Sequence, residues 1–280
     1  MSTSDVYASL RVQPVAGSLG AEVSGVDLGA LTDAQFDEIH RAFITHQVIF
    51  IRDQELDEET YISFARRWGD IMLYPYMQGL PDHPEILQVL KEPEDTYAFG
   101  SQWHTDSSFI AIPPKATMLY ALELPSAGGD TAYASMYHAY DALSDGMKQL
   151  LADLRVLNIG DQRVPRFDEL SGMRQKDPGD VQTRAHHPLI RTHPESGRKA
   201  LNVGAHSIEI EGLTKDESAP LLEFLYAHGT RQEFTCRFRW QEGTVGIWDN
   251  RCVQHYAIDD YQGQRRRMHR ITIAGDEAPF

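Results

Sequence analysis

The stretch Val245-Gly246-Ile247-Trp248-Asp249-Asn250-Arg251-Cys252-Val253-Gln254-His255-Tyr256-Ala257-Ile258 decides the fold. It holds two short runs, Val245–Trp248 and Cys252–Ile258, that are apolar or β-branched and read as strands. Working outward, Phe234–Trp240 precedes them and His269–Ala274 follows, each with the same character. Ile86–Leu90, Thr117–Leu124 and Thr131–Ser135 have the same character. These strands do not alternate regularly with helices, which argues against a doubly wound parallel sheet. The pattern predicts a mainly β protein with flanking helices, a β-sandwich or jelly roll. One helix starts at Thr32, where Gln35 completes a capping box and Phe36, Ile39, Ala42 and Phe43 share a face. It runs into Val48–Ile51, an apolar run with the look of a buried strand. A second helix is expected over Glu58 to Trp68, and a third opens at Thr214 with Glu217 as capping partner.

The chain has 280 residues, with 41% hydrophobic and 24% charged residues. That composition belongs to a globular protein and excludes wholesale disorder. The net charge of -15 argues against general binding to nucleic acid or an anionic membrane. It does not forbid a small anionic ligand, which reads only the local field. Two cysteines, Cys236 and Cys252, cannot build a disulfide framework or a Cys-rich zinc site. The N-terminus lacks a basic segment followed by an apolar one, and no stretch approaches the roughly 20 apolar residues that span a bilayer. A cytoplasmic protein is expected. The region 161–198, rich in charge, Pro and Gly, reads as a lid or insert within a single domain over 1–280.

Most of the twelve histidines, taken singly, read as structural or solvated. His104 and His255 have better company. His104-Thr105-Asp106 at a strand end puts an imidazole and a carboxylate on one face. With His255 they make a two-histidine, one-carboxylate set, which leaves one side of an iron ion open for a chelating co-substrate and dioxygen. The basic run Arg265-Arg266-Arg267-Met268-His269-Arg270 is unusual in so acidic a chain. On a strand, Arg266, Met268 and Arg270 share a face. A solvated edge strand would explain the charges, but arginine is also suited to forked recognition of carboxylates and sulfonates. Arg266 and Arg270 are therefore candidates for two separate anions.

Taken in order, these pieces resemble the taurine dioxygenase-like family of Fe(II)- and 2-oxoglutarate-dependent oxygenases. The matching segments are Gly20–Leu28, Trp103-His104-Thr105-Asp106, Gly128-Gly129-Asp130-Thr131, Thr192-His193-Pro194, Trp248-Asp249-Asn250-Arg251 and His255. Arg266 and Arg270 follow His255 by eleven and fifteen residues. The resemblance covers nearly the whole chain. It implies a double-stranded β-helix, a jelly-roll variant, with iron held by His104, Asp106 and His255. It also implies that Arg266, helped by Thr131, holds the remote carboxylate of 2-oxoglutarate, and that Arg270 meets the acidic group of the prime substrate. Such enzymes hydroxylate a C–H bond using O2 and release succinate and carbon dioxide. Where the hydroxylated carbon bears a leaving group, the adjacent C–S or C–O bond breaks.

The substrate pocket departs from the taurine-specific pattern. Those relatives resemble one another by a His in the segment equivalent to Leu73-Tyr74-Pro75-Tyr76 and an Asn four residues before the first iron-binding His. This chain has Tyr74 and Gly100 there. Both changes favour a longer or more apolar body than taurine's. Other stretches are similar to aryloxyalkanoate-cleaving relatives, and Met268-His269-Arg270 to the sulfonate and sulfate users. His206 lies where relatives often place an aromatic residue against substrate. The expectation is a small organic anion as substrate: a sulfonate, a sulfate ester or an aryloxyalkanoate. A hydroxylase or desaturase of an amino-acid derivative is the alternative within the fold, and a non-catalytic ligand-binding jelly roll the alternative outside catalysis. A homodimer or homotetramer is implied, without nucleic-acid or membrane partners.

Overall fold

The computed structural model describes residues 7–160 and 171–280. The capping box at Thr32 forms as the sequence predicts and starts the helix Asp33–His46. That helix ends at Gln47, whose φ of 68° reverses the chain into the strand Val48–Ile51. The Gln47 side chain is buried and accepts a hydrogen bond from Ser135 Oγ at 2.5 Å, so the reversal is pinned to a distant strand. The second helix, Glu58–Arg66, stops two residues short of the expected Trp68.

The largest sheet has eight strands. Its path runs Arg11–Pro14, Ala21–Ser24, Val48–Ile51, Val245–Asp249, Ala116–Glu123, Arg266–Ile273 and Ile71–Met72, and Leu87–Lys91 also pairs with Arg266–Ile273. The basic run is thus an interior strand, not a solvated edge. A three-stranded sheet, Thr235–Phe238, Thr131–Ser135 and Val253–Ala257, shares a core cluster with it. Side-chain alternation divides the core. Leu119 and Ala121 face the cluster that contains Tyr133, Ala134, Trp248 and Met268. Met118 and Tyr120 face the cluster with Ile39, Phe43, Tyr61 and Phe64 of the two early helices. The result is a β-rich body with helices on the outside.

Strands at Arg155–Ile159, Arg184–Pro188 and Ser207–Ile210 form a further sheet. Of the expected insert over 161–198, residues 161–170 lie outside those described. Residues 171–183 run without regular strand or helix and touch Tyr76–Gln78 through backbone hydrogen bonds, and 184–188 and 190–192 are strands. Among the described residues, no helix is long and apolar enough to cross a membrane.

Candidate active site

Two pieces of chain bring the predicted ligands together. Val253–Ala257 presents His255 toward the space between the sheets. Opposite it, His104 forms a single β-bridge with His255, with reciprocal backbone hydrogen bonds of 3.1 and 2.9 Å. His104 is therefore one bridge residue followed by a turn, not the end of a longer strand as the sequence reading had it. The turn carries Asp106 inward, and Ser107 just after it has φ 44°, an uncommon conformation for a residue with a side chain.

His104 Nε2 lies 3.6 Å and His255 Nε2 3.7 Å from Asp106 Oδ1. One ligand atom from each of the three residues falls within 4.8 Å of the others, and all three residues are buried. Tautomer and rotamer are set from behind. His104 Nδ1 donates to Gln102 O at 2.7 Å, which leaves Nε2 with its lone pair facing the triad. Asp106 Oδ2 accepts from Thr117 Oγ1 at 2.7 Å. Thr117 Oγ1 accepts from Asn250 Nδ2 at 2.9 Å, and Asn250 Oδ1 accepts from Trp248 Nε1 at 3.1 Å. Asp106 thus spends one oxygen on the protein and turns the other to the histidines. Burial would raise its pKa, but Arg270 and the two imidazoles outweigh burial and hold the carboxyl well below the ordinary value. Burial, with His104 alongside, pushes His255 well below its ordinary value, so it is neutral and free to ligate.

A cavity of about 420 Å³ is bounded by the triad, Thr131, Arg266, Arg270 and the ring of Trp248. Arg266 is buried, and its Nε and Nη2 find no hydrogen-bond partner among the described residues. Its shaft passes Gly129, where a Cβ would stand 3.2 Å from Arg266 Cδ; Gly129 also has φ 69°. A second chamber, of about 540 Å³, adjoins the first through His104, Asp106, Gly100 and Arg270. Its walls include Tyr74, Tyr76, Tyr97, Phe99, Phe109 and His206. Arg270 Nη2 is 3.0 Å from Asp106 Oδ1, an ion pair without hydrogen-bond geometry, and the guanidinium stands 5.3 Å over the Tyr74 ring. Gly100 has φ 85°, and a Cβ there would meet His104 Cε1 at 3.3 Å.

A second group, His193, Asp249 and Cys252, also meets the spacing of a metal site. Its chemistry is already spent. Asp249 takes two hydrogen bonds from the Arg251 side chain, at 2.8 and 2.7 Å, and one from His193 at 2.9 Å. Burial drives the Cys252 thiol well above its usual pKa, away from the thiolate a metal needs. This cluster is a buried ion pair that ties strand Val245–Asp249 to the Thr192-His193-Pro194 segment. His187 and His228 likewise bond backbone carbonyls, at 2.9 and 2.8 Å, as structural histidines do.

Residues 11–272 match the family described as "Taurine catabolism dioxygenase TauD, TfdA family". The chain belongs to this family. It is a TauD, TfdA-type, alpha-ketoglutarate-dependent dioxygenase. It is 35% identical to an "Alpha-ketoglutarate-dependent sulfate ester dioxygenase" of Pseudomonas putida, over 99% of this chain and 93% of the relative. It is 32% identical to the "(S)-phenoxypropionate/alpha-ketoglutarate-dioxygenase" of Sphingobium herbicidovorans, over 95% and 96%. Among solved structures it is similar to AAD-2 in complex with Mn(II) and N-oxalylglycine, with TM-score 0.79, 29% identity and coverage of 98% and 100%.

All the sequence-predicted site residues fall around the two joined chambers: His104, Asp106, His255, Thr131 and Arg266 around the first, and Tyr74, Gly100, His206 and Arg270 around the second. Sequence reasoning missed Thr117 and Asn250, which aim Asp106, and the walls Tyr97, Phe99 and Phe109. A hydroxyl opening the otherwise apolar run Thr117-Met118-Leu119 was a usable signal. The aromatic walls carried none, because nothing local distinguishes a pocket ring from a core ring.

Proposed function

We propose that this TauD, TfdA-type dioxygenase uses Fe(II), 2-oxoglutarate and O2 to hydroxylate a C–H bond of a small organic anion within a double-stranded β-helix, a jelly roll. The substrate is a sulfonate, a sulfate ester or an aryloxyalkanoate, and hydroxylation next to its heteroatom breaks the adjacent C–S or C–O bond. The observation that carries this reading is the convergence of His104, Asp106 and His255 on one cavity with the buried Arg266, two of whose nitrogens lack partners among the described residues.

The donor set fits a divalent ion: two imidazoles, one ionised carboxylate, and an open face toward the cavity. His104 Nε2, Asp106 Oδ1 and His255 Nε2 would hold it. When bound, the metal supplies dioxygen activation coupled to decarboxylation of the 2-oxo acid. The protein's residues do the rest. Arg266 offers a fork to the remote carboxylate and Thr131 a hydroxyl, which aims the 2-oxo acid end at the triad. Arg270 faces the anionic group of the substrate from beside Asp106, so the reacting carbon sits near the triad. The rings of Tyr74, Phe99 and Phe109 cover the substrate's body and keep water from the reaction. The aromatic walls and the missing side chain at Gly100 favour an arylalkyl or longer-chain anion over taurine.

Two buried, unpaired cysteines suit work in the reducing cytoplasm. The resemblance adds a homodimer or homotetramer. The experiment is a panel of sulfonates, sulfate esters and aryloxyalkanoates with Fe(II), ascorbate and 2-oxoglutarate, read by succinate. Substrate-dependent succinate that a chelator abolishes is expected. Absence of succinate with every class, or taurine turned over as well as any other anion, would contradict the reading.

A further inference from the structure

Thr131 does not act alone. Its Oγ1 accepts a hydrogen bond from the indole Nε1 of Trp240 at 2.9 Å, and both residues are buried. An indole N–H can only donate. The contact therefore occupies a lone pair of Thr131 and leaves its proton to point elsewhere. Thr131 lines the same cavity as Arg266, so a carboxylate lying on Arg266 is the acceptor within that cavity.

The indole has little freedom to do otherwise. It meets the Phe50 and Phe238 rings edge-on, with interplanar angles of 90° in both cases, and those two rings stack on each other. On a third side it lies against the backbone of Gly246, where a Cβ would come within 2.6 Å of Trp240 Cη2. Glycine at 246 is what allows a tryptophan at 240 to reach Thr131. A competing acceptor is the buried hydroxyl of Tyr133, next on the same strand face and within the reach of Thr131. A neutral phenol is a weaker acceptor than a carboxylate beside a guanidinium.

We infer that Trp240 is a positioning residue for the co-substrate: it fixes Thr131 as a hydrogen-bond donor to the carboxylate held by Arg266. The inference rests on the assignment of Arg266 and Thr131 to that carboxylate. It makes the enzyme's preference for a 2-oxo diacid depend on a residue that never touches it.

The test is calorimetric binding of N-oxalylglycine to the Mn(II)-loaded protein, in wild type, Trp240→Phe, Thr131→Val and the double variant. Trp240→Phe is expected to weaken binding about 3- to 10-fold, the size of one lost hydrogen bond between neutral groups. In the Thr131→Val background, Trp240→Phe should cost nothing more, because its action runs through the missing hydroxyl. 2-Oxobutyrate, which has no remote carboxylate, should bind wild type and Trp240→Phe alike. Additive losses, an equal loss for 2-oxobutyrate, or unaltered binding by Trp240→Phe would overturn the inference while leaving the site assignment standing. If Thr131→Val binds N-oxalylglycine as wild type does, the assignment of Thr131 falls and the inference with it. Should Trp240→Phe not fold, indole N–H resonances of the wild-type protein serve instead. The resonance displaced by Thr131→Val should also move when N-oxalylglycine binds to the wild type; a resonance that stays put would refute the coupling.

Discussion

Replacing Arg266 with methionine separates what this side chain does for the fold from what it does for the reaction. In the free protein Arg266 is 5% exposed, burial lowers its pKa, and two of its nitrogens lack partners among the described residues. A buried charge without a partner is a cost to folding, so an apolar side chain of similar length should stabilise the free protein by about 1–3 kcal/mol. For a chain of this size that raises Tm by a few degrees. The co-substrate experiences the opposite. Its remote carboxylate would enter the same pocket with no counter-charge, and breaking a buried pair costs about 3–5 kcal/mol. At about 1.4 kcal/mol per decade, binding of 2-oxoglutarate should weaken by roughly 100- to 4,000-fold. The assay pairs thermal unfolding of the free protein with the dependence of succinate formation on 2-oxoglutarate. A change in KM for 2-oxoglutarate below about 3-fold, or a Tm that falls by several degrees, would refute the reasoning, because Arg266 would then serve the fold.

Thr117→Val removes the hydroxyl that aims Asp106 and should weaken Mn(II) binding about 10- to 100-fold, measured by equilibrium dialysis. Gly160→Ala would place a Cβ 2.5 Å from Tyr76 Oη and 2.9 Å from Phe109, so it should lower kcat/KM for a bulky aryl substrate more than for a small sulfonate. Burial lowers the pKa of His187 from 6.5 to about 4, so the unfolded chain binds the extra proton first as pH falls. Its contribution, up to about 3 kcal/mol, is present above pH 6.5 and lost progressively between there and pH 4. Urea midpoints of wild type should therefore fall more steeply over that window than those of His187→Gln.

Much of the fold was legible where side chains repeat at short range. Thr131–Ser135 forms as predicted, Val245–Asp249 and Val253–Ala257 lie within a residue or two of expectation, and both capping boxes close. Strands with mixed or polar faces, such as Arg184–Pro188 and Arg11–Pro14, were not visible, because pairing partners far along the chain stabilise them. The candidate ligand set and the two arginines were readable because their chemistry survives as residue type and spacing. What surrounds them was not. Thr117, Asn250 and Trp240 matter through contacts with residues far away in sequence, and no local pattern marks a hydrogen bond between Trp240 and Thr131.

The central claim is that one metal ion sits among His104, Asp106 and His255 with a 2-oxo diacid reaching from it to Arg266. A crystal structure with Mn(II) and N-oxalylglycine, phased to locate the manganese by anomalous scattering, tests it most directly. One anomalous peak bonded to His104 Nε2, Asp106 Oδ1 and His255 Nε2 is expected, with the inhibitor's remote carboxylate on Arg266 and Thr131. Manganese at His193, Asp249 and Cys252, or an inhibitor carboxylate resting on Arg270 instead of Arg266, would contradict it.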